Sequence, residues 1–144
     1  MTLAGGFRAG LLGDAEIAAA LDDRAWLSAM LRFEAALARA QAAEGLIPAD
    51  AGAAISGALP GLPLDPAQLA DGMAEAGVPV PALIAAARRE LGESGRWLHH
   101  GATSQDAMDT GQALMLRAVC DLLDARLARL CDALAAAARA HAAT

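Results

Sequence analysis

The stretch His99-His100-Gly101-Ala102-Thr103-Ser104-Gln105-Asp106-Ala107-Met108-Asp109-Thr110 decides how this chain is read, because it crowds polar side chains into a sequence otherwise dominated by Ala and Leu. Gly101 permits a tight backbone turn. Thr103, Ser104, Gln105 and Asp106 then open a long apolar-periodic segment, where helix N-caps belong. The spacing predicts a loop feeding the start of a helix, and the polar run itself fits two readings. In one, it binds an anion: the first N–H groups of a helix lack internal partners and lie at the positive end of its dipole, so a carboxylate or phosphate placed there is stabilised. Thr103 and Ser104 would bond one carboxylate of a small polycarboxylate, and Gln105 would reach a second. In the other, Thr103 and Asp106 form a structural cap, a capping box with Asp in place of Glu, and need no ligand.

Downstream, apolar residues recur through Met108, Leu114, Met115, Val119, Leu122, Leu123, Leu127, Leu130 and Leu134, with no Pro and no Gly after Gly111. This predicts one helix of roughly 40 residues from about 104 to 143, about 60 Å long. That exceeds a globule of this chain length, so the helix is expected to pack against further sequence or other subunits.

Upstream, residues 1 to 13 are glycine-rich around Phe7 and Leu11, show no period, and predict an extended, partly mobile arm. Asp14 caps a short helix carrying Ile17 and Leu21. Asp22 or Asp23 starts the next, whose Trp26, Met30, Phe33, Leu37 and Ala40 form an apolar stripe that ends at Gly45. Glu34, mid-helix, has two readings: it holds a basic group near the site, or, the commoner fate and the one expected here, it is solvated or paired with an Arg; it is given no catalytic role. Pro48 and Asp50 begin a helix through Ile55 and Leu59, and Pro60-Gly61-Leu62-Pro63 breaks it. Pro66 to Ala76 reads as one short helix. The prolines of Gly77-Val78-Pro79-Val80-Pro81 push the residues before them towards extended geometry, so a new helix is expected from about Pro81 to Leu91. Glu93-Ser94-Gly95 reads as a hinge and Trp97 as a packing residue.

The bulk properties agree with an all-α chain. It has 144 residues, one domain's worth, of which 56% are hydrophobic and only 3% aromatic. Strands favour aromatic and β-branched side chains, and this composition does not supply them. The net charge is -6, and all 11 basic residues are Arg. No clustered basic surface calls for nucleic acid. Cys120 and Cys131 lie about 16 Å apart along one helix, cannot bridge each other, and read as small core residues of a reducing compartment. Two Cys and three His show no metal-ligand spacing. No apolar run reaches the length of a membrane span and no secretory leader opens the chain, so a cytoplasmic protein is expected.

The run Gly101-Ala102-Thr103-Ser104-Gln105-Asp106, followed by Asp109-Thr110, resembles the first signature of the fumarase/aspartase superfamily. The form is that shared by adenylosuccinate lyases and 3-carboxy-cis,cis-muconate lactonizing enzymes. The stretch from Trp26 through Arg32, Glu34 and Arg39 to Gln41, with Gly45-Leu46-Ile47-Pro48 after it, is similar to the family's first long helix. One difference departs from the lactonizing pattern, at the cost of one polar contact expected from that loop, and another separates the relatives. Val78 stands where the lactonizing enzymes typically carry Asn. Adenylosuccinate lyases usually carry a His-Asp pair in this stretch, and neither residue occurs between Gly77 and Leu91. The resemblance therefore leans towards the lactonizing enzymes.

What it implies is an N-terminal helical domain, 1–103, ending in the site loop, and the first long helix of a central bundle, 104–144, with the rest of the bundle absent. The implied reaction is addition or elimination across a carbon–carbon bond beside a carboxylate. In the lactonizing form, 3-carboxy-cis,cis-muconate closes to 4-carboxymuconolactone, a step of aromatic-compound catabolism. Thr103, Ser104 and Gln105 would donate to the charge that builds on the substrate, with no metal or cofactor. His99 is the position matched in the family and would line the site. His100 is a variable position, and His141 reads as an exposed helix residue. The proton-transferring groups of relatives come from later signatures, so no catalytic residue is assigned in this chain. Sites shared among subunits of a homotetramer are implied, and with them an inactive isolated fragment that self-associates through the long helix. The alternatives are adenylosuccinate lyase or a related fumarate-releasing enzyme, and a non-catalytic helical association module.

Overall fold

The structure is a computed structural model that describes residues 9–143. Among the described residues the chain is all-α, with no strand: α1 (Ala9–Leu12), α2 (Ala15–Ala20), α3 (Asp23–Ala43), α4 (Ala49–Ala58), α5 (Pro66–Ala76), α6 (Val80–Leu91) and α7 (Ser104–Ala140). Two 3₁₀ turns, Leu59–Gly61 and Gly92–Trp97, complete it. Residues 9–12 form a helical turn where an extended arm was expected, in keeping with the helix preference of Ala and Leu. The rest of that expectation, residues 1–8, lies outside the described residues. No helix among the described residues is long and apolar enough to cross a membrane.

The chain divides into two compact units, one Asp22–Met115 and the other the described part of Met1–Leu21 with Leu116–Thr144. In the first, Asp22 caps α3 by accepting from the Ala25 N–H at 2.7 Å. Helix α3 buries Leu27, Met30, Leu31, Glu34, Ala35 and Ala38. This face is rotated from the expected stripe: Met30 belongs to both, but Trp26, Phe33 and Leu37 lie at its half-buried edge and Ala40 is exposed. The large aromatic side chains drew the eye to the rim, while small Ala residues line the contact itself. Ile55 of α4, Leu83 of α6, and Leu59 and Leu98 from the connections complete a core with Met30 that excludes water.

Close helix approach sets the packing. A Cβ on Gly52 of α4 would lie 2.4 Å from Ala42 Cβ of α3, and one on Gly111 of α7 would lie 3.0 Å from Met30 Cγ. Ala107 and Gly111 are the buried residues of α7, so the start of that helix is seated in this core. Helix α5 begins with Pro66 behind the Asp65 cap and ends at Gly77, whose φ of 73° suits a residue without Cβ. Helix α6 starts at Val80, one residue before the expected Pro81. The expected hinge at Glu93-Ser94-Gly95 is instead part of a 3₁₀ turn packed on α6. Gly95 is buried, and a Cβ there would meet the Arg88 backbone carbonyl oxygen at 2.7 Å.

In the second unit Asp14 caps α2, accepting from the Ile17 N–H at 3.1 Å. The Arg126 guanidinium of α7 donates to Asp14 and to Glu16. These bonds, Arg126 foremost, hold the Asp14 carboxyl down at about 2. Cys120 and Cys131 are exposed, not core residues, because no residue of α7 beyond Gly111 is buried. Leu116, Leu123, Leu127, Leu130 and Leu134 are exposed too.

Candidate functional site

The loop from Leu98 to Thr103 lies within the first compact unit and is pinned from two helices. Arg88 of α6 donates to the Leu98 carbonyl at 2.9 Å, and Gln41 of α3 donates to the His100 carbonyl at 2.6 Å. Gly101, with φ at 68°, turns the chain into α7. His99 also holds a left-handed φ, 60°, which non-glycine residues seldom adopt. Its ring meets Glu34 of α3: His99 Nδ1 and Glu34 Oε1 are hydrogen-bonded at 2.6 Å.

Glu34 is neither solvated nor Arg-paired, as its sequence context had suggested. It is 1% exposed, and the shape of the α3 face explains why, since position 34 falls between the buried Leu31 and Ala38. Burial pushes its carboxyl above the ordinary value of 4.5, against the bond from His99 and the nearby charge of Arg88. Its second oxygen, Oε2, is buried with no partner among the described residues.

At the helix start, the Thr103 N–H donates to Asp106 Oδ2 at 2.8 Å and the Thr103 hydroxyl donates to the same oxygen at 2.9 Å. The Asp106 N–H lies 3.4 Å from Thr103 Oγ1. This is the reciprocal geometry of a capping box. The Thr103 bonds hold the Asp106 carboxyl below the usual carboxylate range, and the charge of His99 acts in the same direction. Gln105 donates to Asp109 at 2.5 Å, one turn along the helix. Ser104 is half-buried, and its hydroxyl enters none of these bonds. His100 is exposed and stacks edge-on against Trp97, their ring centroids 5.7 Å apart. His141 is exposed, just past the end of α7.

The structure thus brings His99, Thr103, Ser104, Gln105 and Asp106 to one loop and helix start. Chemically the arrangement offers a carboxylate-backed imidazole beside backbone N–H donors and one uncommitted hydroxyl, groups able to hold an anion and move a proton. Sequence reasoning set Glu34 aside in favour of a solvated or Arg-paired side chain, and missed Gln41 and Arg88; these three residues hold the loop. For Glu34 a signal existed: a lone acid amid apolar positions at helical spacing. For Gln41 and Arg88 there was none, because their partners are distant backbone carbonyls. Among the described residues no group of three or more His, Cys, Asp or Glu is placed to hold a metal ion. A groove of about 610 Å³ lies elsewhere in the unit, between the start of α3 and α5, lined by residues such as Trp26, Leu69 and Met73.

Comparison with known proteins shows the family. The lyase family matches residues 15–144. A 3-carboxy-cis,cis-muconate cycloisomerase of Bradyrhizobium diazoefficiens is 47% identical over 91% of this chain and 30% of its own length. The crystal structure of a 3-carboxy-cis,cis-muconate lactonizing enzyme from Pseudomonas putida superposes with a TM-score of 0.80 at 44% identity, over 85% of this chain and 29% of that one. A fumarate lyase from Mesorhizobium sp. BNC1 gives 0.83 at 36% identity, over 88% and 30%. The chain therefore spans about 30% of the length of the relatives it matches. A family match over nearly all of an all-α chain, with the signature stretch at the start of its long helix, has one reading: the chain belongs to the lyase family, within the fumarase/aspartase superfamily.

Proposed function

We propose that this chain is part of a 3-carboxy-cis,cis-muconate cycloisomerase, which closes 3-carboxy-cis,cis-muconate to 4-carboxymuconolactone in the breakdown of aromatic compounds. The observation that carries the reading is the similarity to cycloisomerases along nearly the whole chain. In the reaction one substrate carboxylate adds across a double bond of the same molecule, and a proton is delivered to carbon. Negative charge builds on the carboxylate beside that carbon. Preorganised donors aimed at such charge are the usual means of stabilising it.

The substrate is a small polycarboxylate. Ser104, whose hydroxyl is uncommitted, donates to one carboxylate together with the free N–H groups at the start of α7. Thr103 and Gln105 border the same position, each held by an Asp that orients it, and His99 lines the site from the loop. Asp106 caps the helix. The general acid and base lie outside these residues, no cofactor takes part, and the 144-residue chain alone is inactive. Self-association through the exposed leucines of α7, as part of a homotetramer, assembles the full site. The exposed thiols of Cys120 and Cys131 suit a reducing cytoplasm.

A second reading, a fumarate-releasing lyase, is favoured by the likeness to the Mesorhizobium enzyme. A spectrophotometric lactonization assay on the longest reading frame that contains this chain, with Ser104→Ala beside it, separates the two. Turnover that falls about 10²-fold or more in the variant supports the cycloisomerase and the donor role of Ser104. A folded protein that leaves 3-carboxy-cis,cis-muconate untouched and releases fumarate from a succinyl adduct overturns the first reading in favour of the second.

A further inference from the structure

Glu34 is a costly residue for a packing role. It sits in the apolar row of α3, is 1% exposed, and leaves Oε2 without a partner. An unpaired buried polar atom destabilises a fold, and a leucine would fill the row without that penalty. Its one bond goes to His99, a residue in the left-handed backbone region inside the candidate site. The loop is built to make this meeting: Gln41 and Arg88 fix the carbonyls on either side of His99, and Gly101 supplies the turn after it.

An imidazole has two nitrogens, and the partner of one determines the state of the other. Here Nδ1 is taken by Glu34, so Nε2 is the nitrogen left for a ligand. The charged groups that face the pair are Arg88 from α6 and Asp106 from α7; burial holds the Glu34 carboxyl up, and the bond from His99 and the charge of Arg88 oppose it. Once the Glu34 carboxyl has ionised it only accepts hydrogen bonds, so with a neutral ring the proton belongs on Nδ1. The His99 side chain is 15% exposed, so part of it stays accessible.

We propose that Glu34 is a positioning residue: it fixes His99 as the Nδ1–H tautomer and turns Nε2 towards an anionic, carboxylate-bearing ligand at the start of α7. Nε2 then carries a lone pair that takes a proton from solvent and, once protonated, donates to a carboxylate. The inference deepens the reading of this loop as a carboxylate site, and it explains why a buried acid with an orphan oxygen stands in an apolar row.

The test uses long-range proton–nitrogen correlation spectra of the ¹⁵N-labelled full chain, without ligand, raising pH until the ring is neutral. His99→Gln assigns the His99 signals among the three imidazoles. Wild type is expected to show Nδ1–H with bare Nε2, favoured about tenfold or more, as a charge-assisted bond of roughly 1.5–3 kcal/mol would give. Glu34→Leu fills the row with apolar volume and is expected to fold, as circular dichroism would show, yet lose this preference and shift the proton to Nε2. A wild-type ring protonated at Nε2 overturns the proposal by itself, and so does an unchanged tautomer in a folded Glu34→Leu variant. A lactonization assay that fails leaves these spectra unaffected, so the two readings fall separately.

Discussion

Glu34 and His99 pair a buried acid with a backbone conformation that side chains avoid, and neither choice favours stability. The acid's carboxyl is pushed above 4.5 because burial disfavours its charged form, against the bond from His99 and the charge of Arg88. A folded-state value raised in this way contributes stability that is fully present below the ordinary value and is lost as pH rises through the raised one. Glu34→Gln keeps an oxygen for the His99 Nδ1–H and removes the charge, so it should lack this loss. The expected outcome is a variant whose stability relative to wild type grows from pH 4 to pH 7. Denaturant midpoints measured on both proteins across that range check it, and a pH-independent difference would count against a buried, charged Glu34. A gain in stability from replacing a site residue is what a functional compromise looks like.

At the scale of the elements, small residues decide how near the helices come. Gly52 faces Ala42 across α3 and α4, and its absent Cβ leaves room that the Ala42 methyl already fills. Gly57, five residues on in the same helix, has nothing within 4 Å of where a Cβ would stand. The same substitution should therefore act with opposite signs. Gly52→Ala is expected to destabilise by roughly 1–3 kcal/mol, as overpacking does. Gly57→Ala should stabilise by about 0.5–1 kcal/mol, through helix propensity alone. Thermal melts of the two variants decide this, and equal effects would mean that α4 does not sit against α3 as described. The elements were also where the sequence spoke most clearly. Pro66 and Gly77 marked both ends of α5, and Asp14 and Asp22 marked two helix starts, because caps act within a few residues. The start of α7 and its polar run were legible for the same local reason. What lay across the chain was not: Glu34 belongs to the site only because the loop 65 residues later folds onto it. The 3₁₀ turn at Gly92–Trp97 was read as a hinge since its contact with the Arg88 backbone leaves no mark on Ser94 or Gly95.

On the scale of the whole molecule, the unresolved matter is the later part of α7. Leu116, Leu123, Leu127, Leu130 and Leu134 are 41–60% exposed. Their spacing of seven, four, three and four residues is the a/d repeat of a helix that packs against another helix. A monomer rarely leaves so continuous an apolar row in water, whereas scattered single leucines are ordinary. On the proposed reading this row is where copies of the chain associate. The whole chain has a mass of 14.5 kDa, so sedimentation equilibrium resolves a monomer from a dimer or tetramer readily. Wild type is expected to show a multiple of that mass, falling with dilution. Replacing Leu127, Leu130 and Leu134 together by Gln should shift it to the monomer while leaving the helical circular dichroism signal of Asp22–Met115 largely intact, because that unit keeps its own core. A wild-type chain that stays monomeric at high concentration would show that the row does not join copies of this chain, and would remove self-association through α7 from the proposed function.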